Sequence, residues 1–275
     1  MVTLDIPFED RSSLDHDVTL HMFPMEGIDE ILPELTRAIL SLWADGGFQK
    51  CYRRRAEYHL DDNFEYCVES WHRLGASGYV PTNQDILRSR VMTIGITTTT
   101  FSYKGLEYVV RDVGGTRIER NKWIHPFREG VSTILFTIDV TVYRKPLFED
   151  ESINAMLEQL ELFESLINPR WFPDTDFIIV LTRMDLLERC LRETEVKLCF
   201  PDFPAADTDT GYFEHYMKLL QKQFLNLCPH ERRSRVRIVR GDITDTTHNP
   251  AAEVFEMLDH FSLRRNISRL VLKGS

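Results

Sequence analysis

Leu32, Leu35, Ile39, Leu42 and Trp43 recur at helical spacing, and the pattern stops at Gly46-Gly47. Phe64, Cys67, Trp71 and Leu74 repeat it between the polar run Asp61-Asp62-Asn63 and Gly75. Residues 1 to about 28 show no clear period and read as loop. The first third is therefore helical. After Pro81, Thr82-Asn83-Gln84-Asp85 sets an N-cap hydroxyl three residues before a carboxylate, which predicts a short helix through Leu87 and Arg88. From Thr97 the character changes: Thr97 to Tyr103 and Leu106 to Asp112 are β-rich runs joined at Lys104-Gly105, the pattern of a hairpin. A domain boundary falls near Arg90.

Beyond the hairpin, short β-branched runs alternate with longer helical patterns. Strands are expected at Thr133 to Val140, Phe177 to Leu181 and Val236 to Val239. Helices are expected at Ile153 to Ile167, Tyr212 to Leu227 and Val254 to about Ile267. Such alternation predicts βαβ units: an α/β fold with a mostly parallel sheet and helices on both faces. Ligands on sheets of this kind bind at the carboxyl ends of the strands.

The composition narrows the function classes. With 275 residues, 43% of them hydrophobic, the chain can bury one sizeable core and a smaller one. A net charge of -10 and a pI near 5.4 argue against a nucleic-acid partner, because neutralising phosphates needs clustered cations. Arg53-Arg54-Arg55 and Arg232-Arg233 read as solvated faces. Five cysteines with no CxxC spacing read as buried thiols in a reducing compartment. No apolar run approaches membrane-spanning length, and Met1-Val2 opens neither a signal peptide nor a myristoylation motif, so a soluble cytoplasmic protein is expected.

Three strand ends hold candidate chemistry: Asp112-Val113-Gly114-Gly115, Thr182-Arg183-Met184-Asp185 and Gly241-Asp242-Ile243-Thr244. Any one of them alone is an ordinary βα turn, where Gly, Asp and Thr serve backbone and capping needs. Together, and preceded by Arg88-Ser89-Arg90-Val91-Met92-Thr93, they change the reading. The stretches "PTNQDILRSRVMTIGI", "DVGGTRIERNKWIHPF", "FEDESINAMLEQLELFESLINPRWFPDT" and "ITDTTHN" resemble, in order, consecutive segments of the α subunits of heterotrimeric G proteins. The resemblance runs from about Glu30 to about Leu270.

The resemblance implies a Ras-like GTPase domain over residues 89–275, lacking its first strand, P-loop and first helix, after a partial helical domain over residues 1–88. It implies GTP/GDP and Mg²⁺ as cofactors. Arg90 falls on the family's arginine finger, Thr93 on the switch threonine that ligates Mg²⁺, and Asp112 on the carboxylate that holds Mg²⁺ through water. Gly115, beside Gly114, matches the backbone N–H that contacts the γ-phosphate. Asp185 matches the carboxylate that reads the guanine edge, and Ile243 the position whose N–H reaches guanine O6. Asp62, Asn63, Leu87 and Arg88 fall among the nucleotide-binding positions, and Ile118, Lys122 and Trp123 lie in switch II, which docks the βγ dimer. Trp123 can equally be a half-buried packing residue, but flanking cations suit an interface anchor. A G-protein-coupled receptor and an effector enzyme complete the implied partners, with location peripheral at the inner face of the plasma membrane.

Three departures bear on activity. Thr116 stands where the family uses a water-orienting Gln and is too short to place the water in the same way. Thr182 and Arg183 replace Asn and Lys in the guanine-reading stretch. No Gly in the chain precedes a Lys, so the 275 residues contain no GxxxxGK[ST], and the segment expected to hold it would precede Met1. In the family's sheet the corresponding strand lies between the one ending at Asp112 and the one at Thr133 to Val140, leaving two unpaired edges unless they close up or a partner fills the gap. The sequence thus implies a signal transducer with impaired GTP binding and hydrolysis, or a non-enzymatic relative that binds βγ or effectors without nucleotide control.

Overall fold

The computed structural model describes residues 4–22, 31–58, 60–89, 92–128, 130–168, 172–204, 211–242 and 250–273. The chain divides into two compact units, Met1–Arg90 and Val91–Ser275.

The first unit is built from α1 (Ser12–Met22), α2 (Pro33–Ala44), α3 (Gly46–Arg53), α4 (Phe64–Glu69), α5 (Trp71–Leu74) and α6 (Asn83–Arg88). Pro33 opens α2, where a missing N–H costs nothing, and Leu35, Ala38 and Leu42 bury one face. Two expectations are corrected here. The N-terminal stretch read as loop contains α1, whose only buried residue is Ser13, so no apolar stripe announces it. Gly46-Gly47 does end α2, but it also opens α3, because the Asp45 carboxylate accepts from Phe48 N at 3.0 Å and caps the new helix. The same buried carboxylate accepts from Glu9 N, Asp10 N and the Ser13 hydroxyl, tying α1 to α3. Around Trp43, the rings of Phe48, Tyr52 and Phe64 pack edge to face. The capping box on α6 is present as the sequence predicts, and Arg73 and the Tyr66 hydroxyl also donate to its Asp85. The helix over 64–74 is interrupted at Ser70.

The second unit opens with a hairpin of β1 (Ile96–Tyr103) and β2 (Leu106–Val113). Lys104 and Gly105 both take positive φ, 49° and 78°, as a two-residue type I′ turn requires. Two short helices follow, α7 (Arg117–Arg120) and α8 (Ile124–Arg128), then β3 (Thr133–Asp139), the small antiparallel pair β4 (Pro146–Leu147) and β5 (Asp150–Asn154), and α9 (Ala155–Ile167). The helix expected from Ile153 thus begins at Ala155, capped by the Asn154 side chain, because Asp150–Asn154 is spent on the β4 pairing. The unit continues with β6 (Asp176–Thr182), α10 (Met184–Glu193), α11 (Tyr212–Leu227), β7 (Val236–Arg240) and α12 (Ala251–Lys273).

β3, β6 and β7 form a parallel sheet in that order. β6 is central and all but its last residue is buried, as its unbroken apolar run requires. One face of the sheet, including Phe136, Ile138, Phe177, Ile179, Leu181 and Val236, packs on Met156 and Phe163 of α9, Leu187 of α10, and Tyr216 and Phe224 of α11. The other face buries Ile178, Val180 and Val239 against Phe261 of α12. α12 also carries the hairpin: Phe255 packs on Tyr103 and Tyr108, and the Tyr108 hydroxyl donates to Asp259 at 2.7 Å. The edge strands β2 and β3 have not closed up on each other. Among the described residues β2 pairs only with β1, and β3 only with β6.

Candidate functional site

The sequence-predicted residues of the second unit gather at two places. At the first, the Thr93 hydroxyl donates to the Asp112 carboxylate at 3.3 Å, bringing together two oxygen donors 19 residues apart. Asp112 is near the end of β2, exposed. Beyond it the chain turns through Gly114, whose N–H donates to Gly95 O. A Cβ on Gly114 would lie 2.7 Å from Glu119 Cγ and 2.8 Å from Thr93 O, so glycine is needed for the turn to sit against both. Gly115 differs. A Cβ there would meet nothing within 4 Å, and packing does not ask for glycine.

The segment that the resemblance assigns to switch II follows directly. Thr116 is half-buried and caps α7 without a side-chain bond. Arg117 and Arg120, one turn apart on α7, both donate to Glu158 of α9 at 2.6 Å. Glu158 is buried, and these two guanidiniums, Arg117 first, outweigh its burial and bring its pKa down to about 2. Glu119 accepts from Lys122 and from Gly95 N, both at 2.6 Å, and these bonds hold its carboxyl below the usual range. The Trp123 indole N–H donates to Gly114 O at 2.8 Å, while the ring packs on Phe127 and the main core. Lys122 is thus paired within the chain and Trp123 is half-buried. Ile118 is more open than the segment's other exposed apolar residue, Ile124: 77% exposed against 44%.

The second place is at the carboxyl ends of the parallel strands. Thr182 ends β6, its hydroxyl donating to Ile138 O at 3.1 Å and its carbonyl accepting from Val140 N. Arg183 takes a left-handed backbone, φ 66°, at the cap of α10, and Asp185 is exposed in the first turn of that helix. Gly241 follows β7 where a Cβ would collide with the Pro250 ring at 2.5 Å. Asp62, Asn63, Leu87 and Arg88 belong to the first unit. Arg90 and Ile243 lie outside the described residues.

Sequence reasoning missed Glu119, Glu158, Arg117 and Arg120. Two arginines three apart in a helix signal a shared target, but nothing in the sequence identifies Glu158, 38 residues further on, as that target.

A parallel sheet with helices on both faces, preceded in the chain by a helical unit, is the architecture of a Ras-like domain with a helical part. A model of the G-protein alpha subunit family matches residues 2–260, and the chain belongs to that family. It is 42% identical over 232 residues to a guanine nucleotide-binding protein subunit alpha of Sporothrix schenckii, across 84% of this chain and 64% of that protein. It is 45% identical over 204 residues to a subunit of the same description from Emericella nidulans, across 74% and 58%. To the guanine nucleotide-binding protein alpha-1 subunit of Neurospora crassa it is 40% identical over 232 residues, across 84% and 64%. The chain spans about 64% of the length of the first of these relatives.

Proposed function

We propose that the chain is a signal transducer of the G-protein alpha type, in which guanine nucleotide and Mg²⁺ engage the two strand-end sites weakly and switch II docks a βγ dimer. The observation that carries this is the Thr93–Asp112 contact beside the Gly114-Gly115 turn. A hydroxyl and a carboxylate suit Mg²⁺, which takes oxygen ligands and retains several waters, so two protein oxygens are enough. Among the described residues no group of three or more His, Cys, Asp and Glu forms a denser cage. Packing does not require glycine at Gly115, and the lack of a side chain there would let a phosphate oxygen approach its backbone N–H. Asp185 would accept from the guanine edge. Arg90 would offset charge on the transferring phosphoryl group as water attacks phosphorus and the bond to GDP breaks.

Weak binding follows from the residues that are present. No GxxxxGK[ST] occurs among the 275 residues, and the charge-assisted bonds of such a loop sum to about 10 kcal/mol. Forgoing them turns nanomolar affinity into weaker than millimolar. Calorimetric titration of the chain with GDP and with ADP, Mg²⁺ present, tests the reading. GDP is expected to bind weaker than about 1 µM yet tighter than ADP, with the preference lost in Asp185→Ala. Sub-micromolar GDP, or equal affinity for ADP, contradicts it.

A second reading, partner binding without nucleotide control, is favoured by the contacts that hold switch II. The Trp123 to Gly114 bond and the Arg117 and Arg120 pairs to Glu158 all lie within the chain. They fix the docking segment independently of any phosphate.

A further inference from the structure

We infer that Glu119 is the positioning residue of the Thr93–Asp112 pair, a role that rests on that pair taking Mg²⁺ as proposed above. Its carboxylate pins the segment carrying Thr93 to the turn after Asp112, and so sets the spacing at which the two oxygens meet an ion. Thr93 and Asp112 lie on separate stretches of chain, one before β1 and one near the end of β2. Two residues past Thr93, Gly95 is held through both of its backbone groups. Its carbonyl accepts from Gly114 N at 3.2 Å, and its N–H donates to Glu119 Oε2 at 2.6 Å.

The direct contact between the pair cannot do this work alone. At 3.3 Å it is long for a hydroxyl donating to a carboxylate, whereas the Glu119 bond to Gly95 is short and charge-assisted. The Glu119 stem adds packing to the bond. Its Cβ and Cγ lie 2.8 and 2.7 Å from where a Gly114 side chain would begin, and Thr93 O lies 2.8 Å from the same point. Thr93, Gly114 and Glu119 thus converge on one spot. Glu119 reaches it from an anchored helix, because Arg117 and Arg120 on either side of it are both bound to Glu158 of α9. The carboxylate is not a third metal ligand: Oε2 is spent on Gly95 and Oε1 accepts from Lys122 at 2.6 Å.

Mn²⁺, which takes the same oxygen ligands as Mg²⁺ and broadens the NMR signals of nearby groups, tests this in the whole chain. At substoichiometric Mn²⁺ the amide signals of Thr93 and Asp112 are expected to broaden together. In Glu119→Ala, Asp112 still broadens but Thr93 needs at least about tenfold more Mn²⁺, the shift that one bond to a charged group supports. Glu119→Gln keeps an oxygen acceptor for Gly95 N–H, and Lys122→Ala leaves that bond in place, so both are expected to behave as the unsubstituted chain does. A contribution to stability alone would lower the melting temperature without separating the two signals. Joint broadening that persists in Glu119→Ala, or separation of the two signals in Glu119→Gln, overturns the inference. Thr93 broadening unchanged in Asp112→Ala overturns the metal-site reading, and the inference with it.

Discussion

Thr116 opens α7 with its backbone extended and its hydroxyl making no capping bond, so replacing it takes nothing from the helix. Its cost lies in what it cannot reach. In the proposed nucleotide site a threonine hydroxyl would stop short of a water at the phosphoryl group, where a glutamine amide would orient it. Thr116→Gln is therefore expected to raise single-turnover hydrolysis at saturating GTP by about tenfold, and no change or a fall would mean that another group handles the water. That Asp112, Gly114 and Gly115 stand at a strand end was legible in the sequence, because an apolar run gives way there to a carboxylate and two glycines. The Glu119 bonds to Gly95 and Lys122 were not legible, since the Gly95 contact depends on how the chain enters the hairpin.

α7 is a single turn and does not hold itself in place; Glu158 on α9 holds it through two arginines. Because the folded Glu158 titrates at about 2 instead of the usual 4.5, the clamp contributes its full stability above about pH 4.5 and loses it as pH falls toward 2. Glu158→Gln should cost about 2 kcal/mol near pH 7, or about 4–8 °C in melting temperature. The gap to the unsubstituted chain should narrow below about pH 4.5 and close near pH 2. A gap constant with pH would show that the carboxylate charge is not what holds switch II. Elements with a strong apolar period or turn signal were readable: the hairpin, the capping box of α6, and α11 at its observed bounds. α1 was missed because it buries a single serine, and α3 because Asp45 converts a glycine pair that looks like a stop into a first turn. α10 went unread because its start was absorbed into the strand-end motif, where Arg183 turns the chain through a left-handed residue.

For the molecule as a whole, the parallel sheet and its two-faced packing follow from the alternation of β-branched runs and helices, and family membership follows from motif order. What the sequence could not decide was whether β2 and β3 would close up; in the structure they do not pair, and the hairpin packs on α12 through Phe255 and Asp259. The claim most open to direct test is the second reading, in which the docking face of switch II works without nucleotide control. Capture of the chain on immobilised βγ, with GDP and with a non-hydrolysable GTP analogue, measures it most directly. Ile118→Asp is the informative variant, since Ile118 is 77% exposed and its loss leaves the Trp123 and Glu158 contacts intact. The account predicts detectable capture, equal under both nucleotides and reduced by Ile118→Asp. No capture under either nucleotide, or release by the GTP analogue, would contradict it.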